Sequence, residues 1–199
     1  MRYIMTVLIL VLLTANAFAD TDAESIGIYF DYDYPSYVGE RCFTTTAPME
    51  EVTAYVVLTN VTCIGTIDGW VASIWTTGAT PVTPSWVLST GTDYDTSLDG
   101  FTVGIGISYF PCHSPALLAR WTGIIQSPTD ALSFHISGHP EYEESKDSPG
   151  YFVEISILRP LQVSLATGSD SATAMINTPS CGSVANENKT FSDVKALYR

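Results

Sequence analysis

The chain has 199 residues, with 21 Asp and Glu against 8 Lys and Arg, a formal net charge of −13 and 12% aromatic residues. This composition is too apolar and too aromatic for intrinsic disorder, and the length is sufficient for one domain with its own core. The shortage of basic residues argues against nucleic acid and against an anionic membrane surface as partners, because both are bound through Lys and Arg.

The first 19 residues have the pattern of a secretory signal peptide. Arg2 gives a positive start, residues 4–13 form an apolar run, and Ala17-Phe18-Ala19 is a small-x-small cleavage site. Because a membrane-spanning helix needs about 20 apolar residues, we expect cleavage rather than anchoring, and no transmembrane segment after it. The predicted mature chain begins at Asp20, has a net charge of −14, and is secreted, periplasmic or located at the cell surface.

Period-two alternation, the pattern of β-strands, dominates the mature chain. The strongest prediction is residues 52–62, which are rich in Val, Thr and Tyr. Alternation places Trp70, Ala72 and Ile74 on one face of a second strand, at 70–75, and the intervening residues on the other. The remaining predicted strands are 25–30, 86–88, 101–109, 116–125, 131–137, 151–158, 161–165 and 172–176.

Turn residues separate these strands, and nothing between residues 20 and 180 has a helical period. The pattern predicts an all-β fold, an antiparallel β-sandwich of immunoglobulin-like or cohesin-like type, in a single domain over 20–180. The tail, 181–199, is predicted to be a polar linker followed by a short helix at 192–199, which either docks on the sandwich or serves as a recognition tag.

Gly104 and Gly106 share one face of the predicted strand at 101–109. Val103 and Ile105 alternate with them and are predicted to face the core. Glycine within a strand often marks a close approach of another group to the backbone. The glycine face is therefore predicted to be either a thin spot beneath a loop or a platform for a ligand.

Several short stretches resemble an uncharacterised family of small secreted bacterial proteins. They are AYVVLTN at 54–60, Gly69-Trp70, FTVGIGI at 101–107 and the ending VKALYR. The general pattern is similar to cohesin-like and immunoglobulin-like sandwich modules. The resemblance implies export and an all-β fold, and it implies no substrate because its motifs are structural. A cohesin proper binds a dockerin, but this chain has no motif specific for that interaction.

Sequence motifs for serine hydrolases, P-loops and H-E-x-x-H zinc sites are absent. His135 lies on a predicted strand and His139 in the next loop, and a four-residue spacing aligns metal ligands on a helix rather than across a strand end. His113 follows Cys112, which would fit a thiol nucleophile, but in an exported protein we expect Cys112 to form a disulfide.

The segment at 93–99 has oxygen-bearing side chains at alternate positions, as in the start of a calcium-binding loop. It departs from the EF-hand pattern because Leu98 occupies the position of the glycine turn, and Gly104 that of the closing glutamate. We predict no cofactor other than weakly bound calcium, the alternative being a polar hairpin loop without metal. The calcium ligands would be Asp93, Asp95, Ser97 and Asp99.

Two further acidic clusters, at 31–34 and 141–144, mix carboxylates with tyrosines. Such side chains hydrogen-bond to sugars and stack on them, and carboxylate pairs also serve glycosidases. The leading functional hypothesis is an exported noncatalytic sandwich that acts in binding or assembly, with an extracellular protein or a glycan as partner. A carbohydrate-binding module is the alternative, and a secreted hydrolase is the third hypothesis.

The four cysteines, Cys42, Cys63, Cys112 and Cys181, are predicted to form two disulfides because the chain is exported and their number is even. Antiparallel strands alternate in direction, so strand parity narrows the pairing. If residues 86–88 form a full crossing strand, Cys42 pairs with Cys112 and Cys63 with Cys181. If they do not, Cys42 pairs with Cys181 and Cys63 with Cys112. We favour the first pairing.

Overall fold

A computed structural model describes residues 24–33, 37–61, 66–106, 110–111, 115–154, 157–166 and 169–182. Two β-sheets account for nearly all of the regular structure in this part of the chain, with a two-stranded ribbon beside them. The predicted all-β sandwich is confirmed. The predicted signal peptide and the predicted helix at 192–199 lie outside the described residues.

The smaller sheet has five strands. Their order across the sheet is β15–β1–β5–β11–β7, and all neighbours are antiparallel except β1 and β15. The strand bounds are β1 Ser25–Tyr29, β5 Glu50–Thr59, β7 Val82–Leu88, β11 Ala116–Ile125 and β15 Gln162–Val163.

The larger sheet is built around β6, Thr66–Gly78, which is long enough to pair with two strands along each edge. β12 and β13 pair along one edge, and β9 and β10 along the other. The remaining strands extend the sheet from these partners. The bounds are β4 Cys42–Phe43, β8 Thr92–Asp93, β9 Gly100–Gly104, β10 Phe110–Pro111, β12 Leu132–Ser137, β13 Gly150–Val153, β14 Ile157–Pro160 and β16 Ala174–Ile176.

Three short elements complete the described structure. β2 (Tyr32–Asp33) and β3 (Tyr37–Val38) form the ribbon, and a 3₁₀ turn covers Glu143–Ser145. The single α-helix of the described residues, α1, spans Pro179–Gly182 at the beginning of the segment predicted as a linker. No helix in the described part of the chain is long and apolar enough to cross a membrane.

The core lies between the two sheets and is rich in aromatic rings. Trp121 packs edge-on against Phe134 with ring centroids 4.9 Å apart, and Trp70 stacks on Phe101 at 5.3 Å. The predicted alternation in β6 is confirmed, because Trp70, Ala72 and Ile74 all belong to this buried cluster. Burial of such large rings is the main stabilising contribution of a sandwich core.

One predicted strand is wrong. Residues 151–158 form a hairpin, β13 and β14, instead of a single strand. Glu154 has a φ of 52°, which ends the extended conformation and turns the chain. The hairpin keeps Val153 in the core while Ile157 is half-exposed at the sheet edge.

The favoured partner of Cys42 is also wrong. Cys42 is bonded to Cys181, with their Cα atoms 5.1 Å apart, as the alternative pairing has it. Residues 86–88 do belong to a full strand, β7, so the count of strands was not the error. The parity rule failed because it assumes that consecutive strands are antiparallel. β4 joins the edge of the larger sheet parallel to β16, with Cys42 opposite Met175, and this places Cys42 beside α1. Cys63 and Cys112 lie outside the described residues.

Candidate ligand-binding cleft

A cleft of about 600 Å³ opens on the outer face of the larger sheet, where β13, β6, β9 and β8 lie side by side. Its lining combines backbone, aromatic rings and a few polar groups. The described lining residues are Asp68, Gly69, Gly91, Thr92, Tyr94, Thr102, Val103, Gly104, Ile105, Gly106, Tyr142 and Phe152.

Two directly paired glycines form the middle of the cleft floor. Gly69 of β6 is opposite Gly104 of β9, while Phe152 and Thr92 are the next residues outward in the same row. Paired residues on antiparallel strands point to the same face, so this row has two side chains at its ends and bare backbone between them. A Cβ on Gly69 would lie 2.5 Å from the Val103 carbonyl oxygen.

Aromatic rings lie over this glycine floor. A Cβ on Gly104 would lie 2.8 Å from Cε2 of Tyr94, so the Tyr94 ring rests where a larger residue would stand. Tyr142 meets Phe152 edge-on, with ring centroids 5.9 Å apart. Tyr94 is nevertheless 71% exposed, which leaves much of its ring in contact with solvent. The cleft therefore presents aromatic surface to solvent.

The glycine face of β9 lies beneath a loop at Gly104, where the Tyr94 ring covers it, and a ligand platform there stays a prediction. Val103 and Ile105 are buried in the core, as predicted, and the glycine face lines the cleft. Among the described residues, nothing lies within 4 Å of the position that a Cβ on Gly106 would occupy.

Hydrogen bonds within the 93–99 loop shape one wall of the cleft. Asp93 Oδ1 accepts from the backbone N–H groups of Asp95 and Thr102, both at 3.0 Å. Asp95 Oδ1 accepts from Ser97 N at 2.6 Å, and Ser97 Oγ accepts from Gly100 N at 3.0 Å. These are the local turns that Asp and Ser side chains commonly form.

The same bonds engage three of the four predicted calcium ligands, Asp93, Asp95 and Ser97, and Asp99 is exposed at the end of the loop. Among the described residues, no three His, Cys, Asp or Glu side chains are grouped so that they would hold a metal ion. Weak calcium binding at this loop stays a prediction.

A buried histidine joins the loop to the opposite side of the site. His139 Nε2 donates a hydrogen bond to Asp95 Oδ2, and the two side chains are only 4% and 7% exposed. His139 Nδ1 accepts from the backbone N–H of Glu141 at 3.2 Å, which requires its lone pair. These two bonds correspond to the imidazole tautomer that carries a proton on Nε2 and a lone pair on Nδ1.

The surroundings of Asp95 act on its acidity in opposite directions. Burial raises the pKa of Asp95, but the hydrogen bonds from Ser97 and His139 lower it, and the net pKa is below the ordinary value of 3.8. Asp95 is therefore a carboxylate at neutral pH and accepts the His139 proton without holding one itself.

Ser97, His139 and Asp95 do not have the arrangement of a catalytic triad. In a triad one imidazole nitrogen faces the serine and the other the carboxylate. Here Nε2 faces Asp95 and Nδ1 faces a backbone N–H, so no nitrogen is left for Ser97. Among the described lining residues of the cleft, Asp68 carries the only carboxylate, which gives a two-carboxylate glycosidase mechanism no pair there.

The structure brings together parts of two acidic clusters and separates the third. Tyr94 from the 93–99 loop and Tyr142 from the 141–144 cluster line the same cleft. Tyr32, from the 31–34 cluster, packs instead on Tyr55 of the smaller sheet, with ring centroids 5.8 Å apart. His135 is separate from His139, because it stacks on Trp75 at 5.4 Å and contacts the Thr77 hydroxyl at 2.9 Å.

Sequence reasoning missed Phe152, Gly69 as part of the floor, and the buried role of Gly100. A Cβ on Gly100 would collide with the side chains of Asp95, His139 and Ser97 together. Gly69 had a local signal, since glycine within a strand marks close approach. Gly100 had none, because Asp99-Gly100 resembles an ordinary turn and one of its neighbours, His139, is 39 residues away in sequence.

The chain is similar to cohesin domains. The sixth cohesin of scaffoldin B from Acetivibrio cellulolyticus, solved in complex with a mutant dockerin, shares 10% identity over 78% of this chain and 98% of its own, with a TM-score of 0.43. A type II cohesin domain from the cellulosome of the same organism shares 12% identity over 79% of this chain and 97% of its own, also with a TM-score of 0.43.

These neighbours agree with the cohesin-like resemblance predicted from the sequence. At this identity and TM-score they carry no argument about a partner or an activity. No protein-family model matches the chain, and no curated protein matches it.

Proposed function

We propose that the protein is an exported, noncatalytic binding module and that its cleft binds a neutral carbohydrate. The observation that carries the proposal is the exposed Tyr94 ring, which lies over paired glycine backbone at the mouth of an aromatic cleft. Export is supported by the signal-peptide pattern of residues 1–19.

The cleft has the two chemical features that a sugar requires. The C–H faces of a pyranose ring are apolar and pack on aromatic rings, for which Tyr94 and Tyr142 are available. Hydroxyl groups at the ring edge need hydrogen-bonding partners, and Thr92, Thr102 and Asp68 border the same space. The glycines at positions 69 and 104 let the rings of Phe152 and Tyr94 lie close to the sheet backbone.

Charge favours a neutral ligand over an acidic one. The chain has 21 acidic and 8 basic residues, and the described cleft lining contains Asp68 but no Lys or Arg. Sulfated or uronic-acid polysaccharides would be repelled by this field. A neutral glycan is not.

Binding of a protein partner remains the broader form of the hypothesis, and no feature of the described surface favours it over the cleft. The aromatic walls favour the carbohydrate-binding alternative.

The test is a glycan array with the oxidised mature protein, followed by calorimetry on the best ligand. We expect Tyr94→Ala to weaken binding by about two- to twelvefold, since an aromatic stacking contact contributes about 0.5–1.5 kcal/mol. Tyr94→Phe keeps the ring and should bind within about threefold of the wild type.

Leu98→Ala is the matched control, because Leu98 lies in the same loop, is 95% exposed and does not line the cleft. Its affinity should equal that of the wild type. Absence of binding to every neutral glycan, or equal binding by Tyr94→Ala, would contradict the proposal. Turnover of a bound polysaccharide would instead revive the hydrolase hypothesis.

A further inference from the structure

We propose that His139 is a positioning residue of the cleft and that its bond to Asp95 holds the two tyrosine walls at a fixed separation. This inference rests on the proposed function, because the proposed carbohydrate is the ligand that the tyrosine walls would bind. It concerns how the cleft is kept open, and His139 itself does not line it.

The two bonded residues lie next to the two tyrosines along the chain. Asp95 directly follows Tyr94, and His139 begins the turn that ends at Tyr142, where Tyr142 N donates to His139 O at 3.1 Å. The loop that carries Tyr94 and the turn that carries Tyr142 are thus connected through the His139–Asp95 hydrogen bond. They are 44 residues apart in sequence.

The His139–Asp95 bond is suited to fixing a distance. Both side chains are nearly inaccessible to solvent, so water cannot replace either partner when the bond breaks. Each side chain is held by a second bond, Asp95 by Ser97 N at 2.6 Å and His139 by Glu141 N at 3.2 Å. The link therefore has one geometry and little freedom to rotate.

Gly100 makes room for this link at the point where the two segments meet. A Cβ at this position would overlap Asp95, His139 and Ser97. Gly100, the first residue of β9, therefore leaves space for His139 to reach the loop. The His139–Asp95 pair lies against this end of β9, and Gly104 at the other end of the same strand lines the cleft.

The consequence is preorganisation of the aromatic walls. A ligand that enters walls already in position does not have to order a loop, and loss of such order lowers affinity without removing any contact. Removal of the link should therefore weaken glycan binding although His139 touches no ligand.

Two variants of the same residue separate positioning from general folding. In His139→Gln the terminal amide reaches toward the place of Nε2 and can still donate to Asp95. In His139→Asn the shorter side chain reaches only the place of Nδ1, so it can accept from Glu141 N but leaves Asp95 without its donor. Ile26→Val, a core change in β1 of the smaller sheet, is the control for lowered stability alone.

The first readout needs no ligand. Amide hydrogen exchange at Ser97 and Gly100 should accelerate by about tenfold or more in His139→Asn and much less in His139→Gln and Ile26→Val. Equal protection of these amides in His139→Asn and the wild type would overturn the proposal.

The second readout is the Kd of the best glycan. We expect about a fivefold increase for His139→Asn, and values within about twofold of the wild type for His139→Gln and Ile26→Val. Equal Kd values in His139→Asn and the wild type, despite faster exchange, would also overturn it. If the wild type binds no glycan but the exchange differences are seen, the positioning role stands and the proposed function fails.

Discussion

Removal of the Cys42–Cys181 disulfide should cost this protein a large part of its stability. The perturbation is the double variant Cys42→Ala with Cys181→Ala, which removes both sulfurs and so leaves no new free thiol at this site. The bond joins residues 139 positions apart and fastens α1 and the end of β16 to β4 at the edge of the larger sheet.

The magnitude follows from the length of the closed loop. The chain-entropy relation gives about 5 kcal/mol at 25 °C for a loop of this length, and native disulfides usually contribute somewhat less than this model value. We therefore expect the free energy of unfolding to fall by about 3–5 kcal/mol. A domain of this size commonly has a total of about 5–15 kcal/mol, so the variant should be close to its folding limit.

The assay is equilibrium urea unfolding of the oxidised protein, with tryptophan fluorescence as the recorded signal. Ser180→Ala is the control, because Ser180 neighbours Cys181 in α1 and its change leaves the bond intact. It should lower the free energy of unfolding by less than about 1 kcal/mol. A loss below 1 kcal/mol in the double variant would refute the reasoning, and a nonreduced peptide map that links Cys42 to Cys112 would refute the pairing itself.

Three further predictions concern packing and ionisation. Gly100→Ala should lower the free energy of unfolding by about 1–3 kcal/mol, because its Cβ collides with Asp95 and His139. In the same urea assay Gly106→Ala should change it by less than about 0.5 kcal/mol, because its Cβ meets no described residue within 4 Å. The pKa of folded Asp95 lies below 3.8, so the stability that its charge contributes is present above about pH 4 and is lost as the pH falls through the folded pKa. The difference in the free energy of unfolding between the wild type and Asp95→Asn, measured in urea, should therefore narrow only below about pH 4. Burial, with the Glu24 carboxylate nearby, raises the pKa of Tyr151 to about 12, so absorbance titration at alkaline pH should show one late tyrosine that Tyr151→Phe removes; titration of every tyrosine near pH 10 would contradict this.

The strands were largely predictable from the sequence because their alternation is a local signal. β11 has the predicted bounds of 116–125, and the inward residues of β6 are those that alternation selected. The hairpin at 151–158 was not predictable, since both halves alternate and only Glu154, in a left-handed conformation, breaks them apart. Nothing in the type of that residue announces the turn.

For the candidate site, the sequence identified individual residues of the cleft but not which of them lie together. It marked the glycine face of β9 and the tyrosines among the acidic clusters, because these are compositional features. It had no means of choosing Tyr142 over Tyr32, since pairing between distant strands decides which loops meet.

What the sequence determined by itself is the all-β class, the acidic composition and most strand positions, all of which depend on residue type and short-range periodicity. Tertiary structure alone decided the partner of Cys42, the meeting of His139 with Asp95 and the glycine floor. Each of these depends on strand order and register, and a parallel edge strand such as β4 shifts a residue to the opposite end of the sandwich without altering the local pattern.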